Sequence, residues 1–105
     1  MNENIVVLIT ASSRREAERI KDVLLGKRKA ACVNIAGKVD SFFRWKGRAE
    51  SSREVLLILK TRKSVFGEIV RIVKKVHKYE VPEIIALPII GGNRDYLDWM
   101  KKAVK

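Results

Sequence analysis

The chain has 105 residues, 47% hydrophobic and 33% charged, which is enough for one folded domain over 1–105 and is not the composition of a disordered segment. Twenty-three Lys and Arg against twelve Asp and Glu leave a net charge of +11 that would attract polyanions, but the basic residues sit on helices that also carry acids, so a solvated surface is expected and nucleic acid is not the expected partner. No apolar run reaches the roughly 18 residues of a membrane span, Ile5–Ile9 is too short for a secretory h-region, and the single cysteine, Cys32, can form neither an intrachain disulfide nor a CxxC motif; the reading is a cytoplasmic protein with no membrane partner.

Ile5 to Thr10 is a continuous apolar run bounded by polar residues, the pattern of a strand buried on both faces. Ser13 with Glu16 three residues on predicts a capping box and a helix start. Ala17, Ile20, Val23 and Leu24 recur at helical spacing, and Gly26 stands where a left-handed C-terminal cap is expected. Ala30 to Ile35 reads as a second strand, Gly37 as a bulge or bend, and Val39 to Trp45 as its continuation. Gly47 marks a hairpin into a third strand, Glu54 to Lys60.

Ser64 is the expected cap of a second helix with the apolar stripe Phe66, Ile69, Ile72, Val73 and Val76, and Pro82 is expected to end it. Glu83 to Ile90 reads as a fourth strand, and Pro88 within it places that strand at a sheet edge or shortens it. Gly91-Gly92 turns the chain, Asn93 caps, and Tyr96, Leu97, Met100 and Val104 mark a last helix. The order β-α-β-β-α-β plus a helix predicts an α+β, ferredoxin-like split βαβ fold with an antiparallel sheet. Val6, Leu8, Leu56 and Ile58 alternate with Val7, Ile9, Val55, Leu57 and Leu59, so both sheet faces are apolar and self-association is the expected cover.

Such domains serve unrelated functions. Arg53 to Lys60 has no aromatic residue, which argues against an RNA-recognition sheet. Thr10-Ala11-Ser12-Ser13 has no thiol for a metallochaperone loop, and no glycine before Gly26 can form a phosphate cradle after strand one. Cys32, His77, Glu80 and Glu83 are the remaining groups suited to a soft or borderline divalent ion. Each has a plainer role: Cys32 as a small buried hydrophobe, His77 as a cation at a helix C-terminus, and the two acids as partners of Lys60 or Lys78. Trp45 and Trp99 read as packing anchors.

The motifs Ala31-Cys32-Val33-Asn34-Ile35, Ser41-x-Phe43-x-Trp45-x-Gly47, Lys60-Thr61, His77-x-Tyr79-Glu80-Val81-Pro82-Glu83-Ile84 and Tyr96-Leu97-x-Trp99 resemble the CutA divalent-cation tolerance family in order and spacing, over essentially the whole chain. The resemblance implies a homotrimer, binding of copper or another divalent ion, and no catalytic reaction; no other cofactor is implied. It carries over Cys32, His77 and Glu80, which with Glu83 are the metal-site candidates; the net charge of +11 motivates a second reading, a signalling or interaction module holding a small anion or metabolite in clefts between subunits lined by Lys60, Tyr79 and Glu80, with Trp45. Two positions depart from the family pattern: Lys78 stands where proline is usual, adding positive charge beside His77, and Arg44 replaces an aromatic before Trp45.

Overall fold

In the computed structural model, which describes residues 3–105, a four-stranded antiparallel sheet in the order β2-β3-β1-β4 carries α1 and α2 on one face. The elements are β1 Asn4–Ala11, α1 Arg14–Gly26, β2 Cys32–Trp45, β3 Arg48–Arg62, a 3-10 turn Lys63–Val65, α2 Phe66–Val76, β4 Ile84–Pro88 and α3 Arg94–Ala103. This is the expected ferredoxin-like arrangement. Pro88 lies on edge strand β4, where its missing N–H breaks no inner ladder.

The odd positions of β1 and β3, including Val7, Ile9, Leu57 and Leu59, are fully buried against Ala17, Ile20, Leu24, Ile69 and Val73 of the helices. Each large aliphatic chain buried there contributes about 1.5–3 kcal/mol. Val6, Leu8, Leu56 and Ile58 on the opposite face stay half-buried, and their β4 neighbours Ile85 and Leu87 are exposed.

β3 begins six residues before the expected Glu54, because β2 and β3 pair continuously to their tip, from Cys32↔Lys60 to Trp45↔Arg48. That ladder projects from the body and gives the chain extents of 44 × 26 × 23 Å. Its two-residue connection places Lys46 at φ 52 and Gly47 at φ 78, as a tight turn matched to strand twist requires. The expected bulge falls between Ile35 and Gly37, with Gly37 at φ 107.

Three local expectations are corrected. Gly26 closes α1 in helical geometry, and Arg28 adopts the left-handed conformation, φ 58. The amide of Lys29 bonds Leu24 O and that of Arg28 bonds Leu25 O, the two bonds of a Schellman motif. Ser64 does not cap α2: it lies in the 3-10 turn, and the N-cap position is Val65, without a side-chain bond. Pro82 does not end α2, which stops at Val76 because His77 is already extended, ψ 141.

Candidate functional site

The segment from His77 to Glu83 joins α2 to β4 without regular structure, so its backbone needs partners outside a helix or ladder. Glu16 supplies them from the first turn of α1. Its carboxylate accepts from Lys78 N at 2.6 Å and Ser12 N at 2.7 Å, while Ser13 Oγ accepts from Glu16 N at 3.1 Å. The capping interaction is therefore shifted: the acid reaches the residue before the N-cap and crosses to another element. Burial pushes the Glu16 carboxyl up, but the Ser12 and Lys78 amides and the nearby His77 outweigh it and hold it below the usual 4.5.

His77 is enclosed at the centre of this junction, its side chain fully buried. Nδ1 accepts from Tyr79 N at 3.0 Å, which places the ring proton on Nε2, 2.7 Å from Thr10 O and 3.4 Å from Glu16 Oε1. Both ring nitrogens are thus engaged within the chain, and for His77 to ligate an ion one of these bonds must first open. Tyr79 stacks obliquely on His77, and its hydroxyl lies 3.4 Å from Ser52 Oγ on β3. Burial raises the phenol's pKa, with nearby Glu54 adding to the effect.

Cys32 stands elsewhere. It opens β2 opposite Lys60, half-buried, with Sγ 3.7 Å from Asn34 Oδ1, an oxygen that also accepts from Lys60 Nζ. Burial followed by the proximity of Cys32 raises the pKa of Tyr96 on α3. Lys60 pairs with Val6 and Thr10 with Leu56, so the Cys32 row and the His77 junction are four residues apart along the strands, about 13 Å at 3.3 Å per residue. Glu80 and Glu83 are exposed on the connecting segment.

The structure does not gather Cys32, His77, Glu80 and Glu83, and no group of three His, Cys, Asp or Glu side chains among the described residues is placed to hold a metal ion. The second set is also dispersed. Trp45 pairs at the hairpin tip with Arg48, twelve residues along β3 from Lys60, and Tyr79 meets β3 between them at Ser52. Trp45, at 40% exposure, lies under the Lys46 ammonium at 5.9 Å, beside a shallow groove lined by Phe42, Phe43 and Glu50.

Glu16, Thr10 and Asn34 were not singled out in the sequence as site residues. Glu16 carried a signal there: an acid next to Ala17 on the buried side of α1 needs a partner. Thr10 contributes only its carbonyl, which no side-chain pattern announces.

The profile of the family described as CutA1 divalent ion tolerance protein matches residues 5–103. The divalent-cation tolerance protein CutA of Thermus thermophilus is 46% identical over 97 residues, covering 92% of this chain and 94% of the relative. That of Archaeoglobus fulgidus is 46% identical over 99 residues, covering 94% and 96%. The chloroplastic protein CutA 1 of rice is 40% identical over 102 residues, and the chain spans only 58% of its length. Among solved structures, the divalent cation tolerance protein from Thermus thermophilus superposes with a TM-score of 0.95 at 44% identity, covering 97% of this chain and 99% of the other. CutA1 from Oryza sativa superposes with a TM-score of 0.95 at 39% identity, covering 99% and 95%.

Proposed function

The chain belongs to the CutA1 divalent ion tolerance family, and from that membership we propose that it is a non-enzymatic, cytoplasmic homotrimer that binds copper. The observation that carries this reading is the match over residues 5–103, which takes in the Cys32 strand, the hairpin and the His77 junction together. As a protein of divalent-cation tolerance it needs no bond-breaking site; the ion is its cargo.

The trimer is supported by what a single subunit leaves open. Ile85, Leu87, Phe42, Phe43 and Trp45 are exposed, β2 and β4 have unpaired edges, and the β2-β3 ladder projects beyond its own helices. Edges and apolar faces of this size are normally covered by pairing. Since the metal candidates do not meet in one subunit, a complete site requires donors from neighbouring copies.

Cys32 is the anchor in this reading, because a half-buried thiol is soft and already lies at the sheet face expected to be covered. Glu80 and Glu83 are free to add oxygens. His77 joins only at the cost of its Thr10 or Tyr79 hydrogen bond. Titration of copper into the wild type and Cys32→Ser, followed by calorimetry, tests the assignment: the variant is expected to lose at least about tenfold in affinity, or 1.4 kcal/mol. Equal affinity and stoichiometry would remove Cys32 from the site.

A further inference from the structure

The positive charge is not spread evenly over the molecule. Residues 14–29 and 63–78, the two helices that cover the sheet with their flanking turns, hold twelve Lys and Arg against four Asp and Glu. That excess of eight is most of the +11 of the whole chain, although the two segments make up 32 of its 105 residues. The β2-β3 hairpin and the remainder supply only three.

The four acids of the helix layer are already occupied. Glu16 is buried on the Ser12 and Lys78 amides. Glu18 is paired with Arg14 and Lys21, Asp22 with Lys21, and Glu68 with Lys29. Arg71, Lys74, Lys75 and Lys78 follow one another at spacings of three, one and three, so they form one stripe along α2 and its C-terminal exit, all exposed and with no ion-pair partner among the described residues. Arg15 and Arg19, one turn apart, are likewise exposed and unpaired on α1, which packs against α2. Arg71 to Lys78 holds no acid even in the sequence, and the fold sets that basic stretch beside Arg15 and Arg19 of α1.

We propose that this helix layer docks the phosphate backbone of a nucleic-acid duplex without reading its sequence. The chemistry of the face selects that occupant. An unstacked single strand needs aromatic platforms, and the one aromatic of the two helices, Phe66, is packed against the core, while Phe42, Phe43, Trp45, Tyr96 and Trp99 are exposed on other elements. A membrane surface needs apolar side chains to insert beside the cations, and Leu25, at the far end of α1, is the sole exposed large hydrophobe of the layer. Base readout uses bidentate Asn or Gln beside Arg, and neither amide occurs in residues 14–29 or 63–78. What remains is arrayed Lys and Arg that release counterions from phosphates. This surface lies opposite the sheet face expected to be covered, and it is complete in one subunit, so the proposal stands whether or not the trimer reading does.

Fluorescence anisotropy of the full chain with a labelled mixed-sequence DNA duplex, at about 50 and 200 mM salt, tests it; some five phosphate contacts predict an affinity falling by about 10²–10³ across that range. The variant Arg71→Gln/Lys74→Gln/Lys75→Gln/Lys78→Gln is expected to lose roughly tenfold or more at the lower salt and to flatten the slope by about 0.9 for each contact removed. A control with the same charge lost elsewhere, Lys38→Gln/Arg44→Gln/Lys101→Gln/Lys102→Gln, is expected to stay within about threefold. Because Lys74 and Lys75 also favour the α2 C-terminus, circular dichroism checks the folding of each variant, and Arg15→Gln/Arg19→Gln on α1 gives a second loss that does not touch that helix end. Equal loss in the α2 variant and the control overturns the proposal. So does tighter binding to a single strand of equal phosphate number, or binding to phosphatidylserine vesicles with none to the duplex.

Discussion

Glu16 joins two elements through one carboxylate. It closes the start of α1 and, through Lys78 N, ties down the segment that follows α2. Glu16→Gln keeps the size but presents an NH2 group to one of two amide donors, and leaving a buried donor unpaired costs about 1–3 kcal/mol; urea unfolding at neutral pH measures this. Because the folded carboxyl titrates below 4.5, its contribution is fully present above that value and is lost as pH falls through the lower folded value. Acid melts of the wild type should therefore drop in midpoint below about pH 4.5, and Glu16→Gln should show a smaller drop over the same interval. His77 is the second such residue. With both nitrogens committed, His77→Gln is expected to lower stability by about 1–3 kcal/mol while changing copper affinity less than Cys32→Ser does. A loss of affinity matching that of Cys32→Ser, with unchanged stability, would sink this assignment.

Among the elements, the two ends of α1 show how backbone and side chain are shared between neighbours. Arg28 holds an unfavourable left-handed conformation, and its guanidinium donates to Lys102 O and Ala103 O at 3.1 Å each, closing the C-terminus of α3 seventy-four and seventy-five residues away. The same turn thus ends one helix and caps another. Arg28→Gly should relieve roughly 1–2 kcal/mol of backbone strain while losing those bonds, so Arg28→Ala, which keeps the strain and loses the bonds, is expected to be the less stable of the two in thermal melts. The β2-β3 hairpin depends on Gly47 in a similar way. Gly47→Val forces a branched side chain into φ 78 and should cost at least about 1–2 kcal/mol, read as a lower melting temperature.

At the scale of the whole molecule, the chain has two contrasting faces. The helix layer is cationic, and the unpartnered apolar side chains lie on the sheet's other face and at Phe42, Phe43 and Trp45 of the projecting hairpin. Light scattering on a sizing column should give about three times the 12.0 kDa chain mass; a clean monomer removes the trimer. Phe42→Ser with Trp45→Ser, at side chains 79% and 40% exposed in the subunit, should weaken association while leaving the monomer's core intact.

The order of strands and helices, the edge position of Pro88, the Ser13 and Asn93 caps, the bulge near Gly37 and the turn at Gly47 all follow from properties of neighbouring residues, and all were legible in the chain. Hydrophobic periodicity and turn chemistry act over a few positions, so a linear reading captures them. The tertiary structure decided what distant residues do to one another: that Glu16 and Thr10 close on the His77 junction across more than sixty positions, that Cys32 lies four residues away from that junction along the strands, and that Arg28 rather than Gly26 turns left-handed and caps α3. It also set the basic segments of α1 and α2 side by side on one face of the sheet. Side-chain hydrogen bonds and charge clustering depend on which surfaces the fold brings together, and that information is carried by no single stretch of sequence.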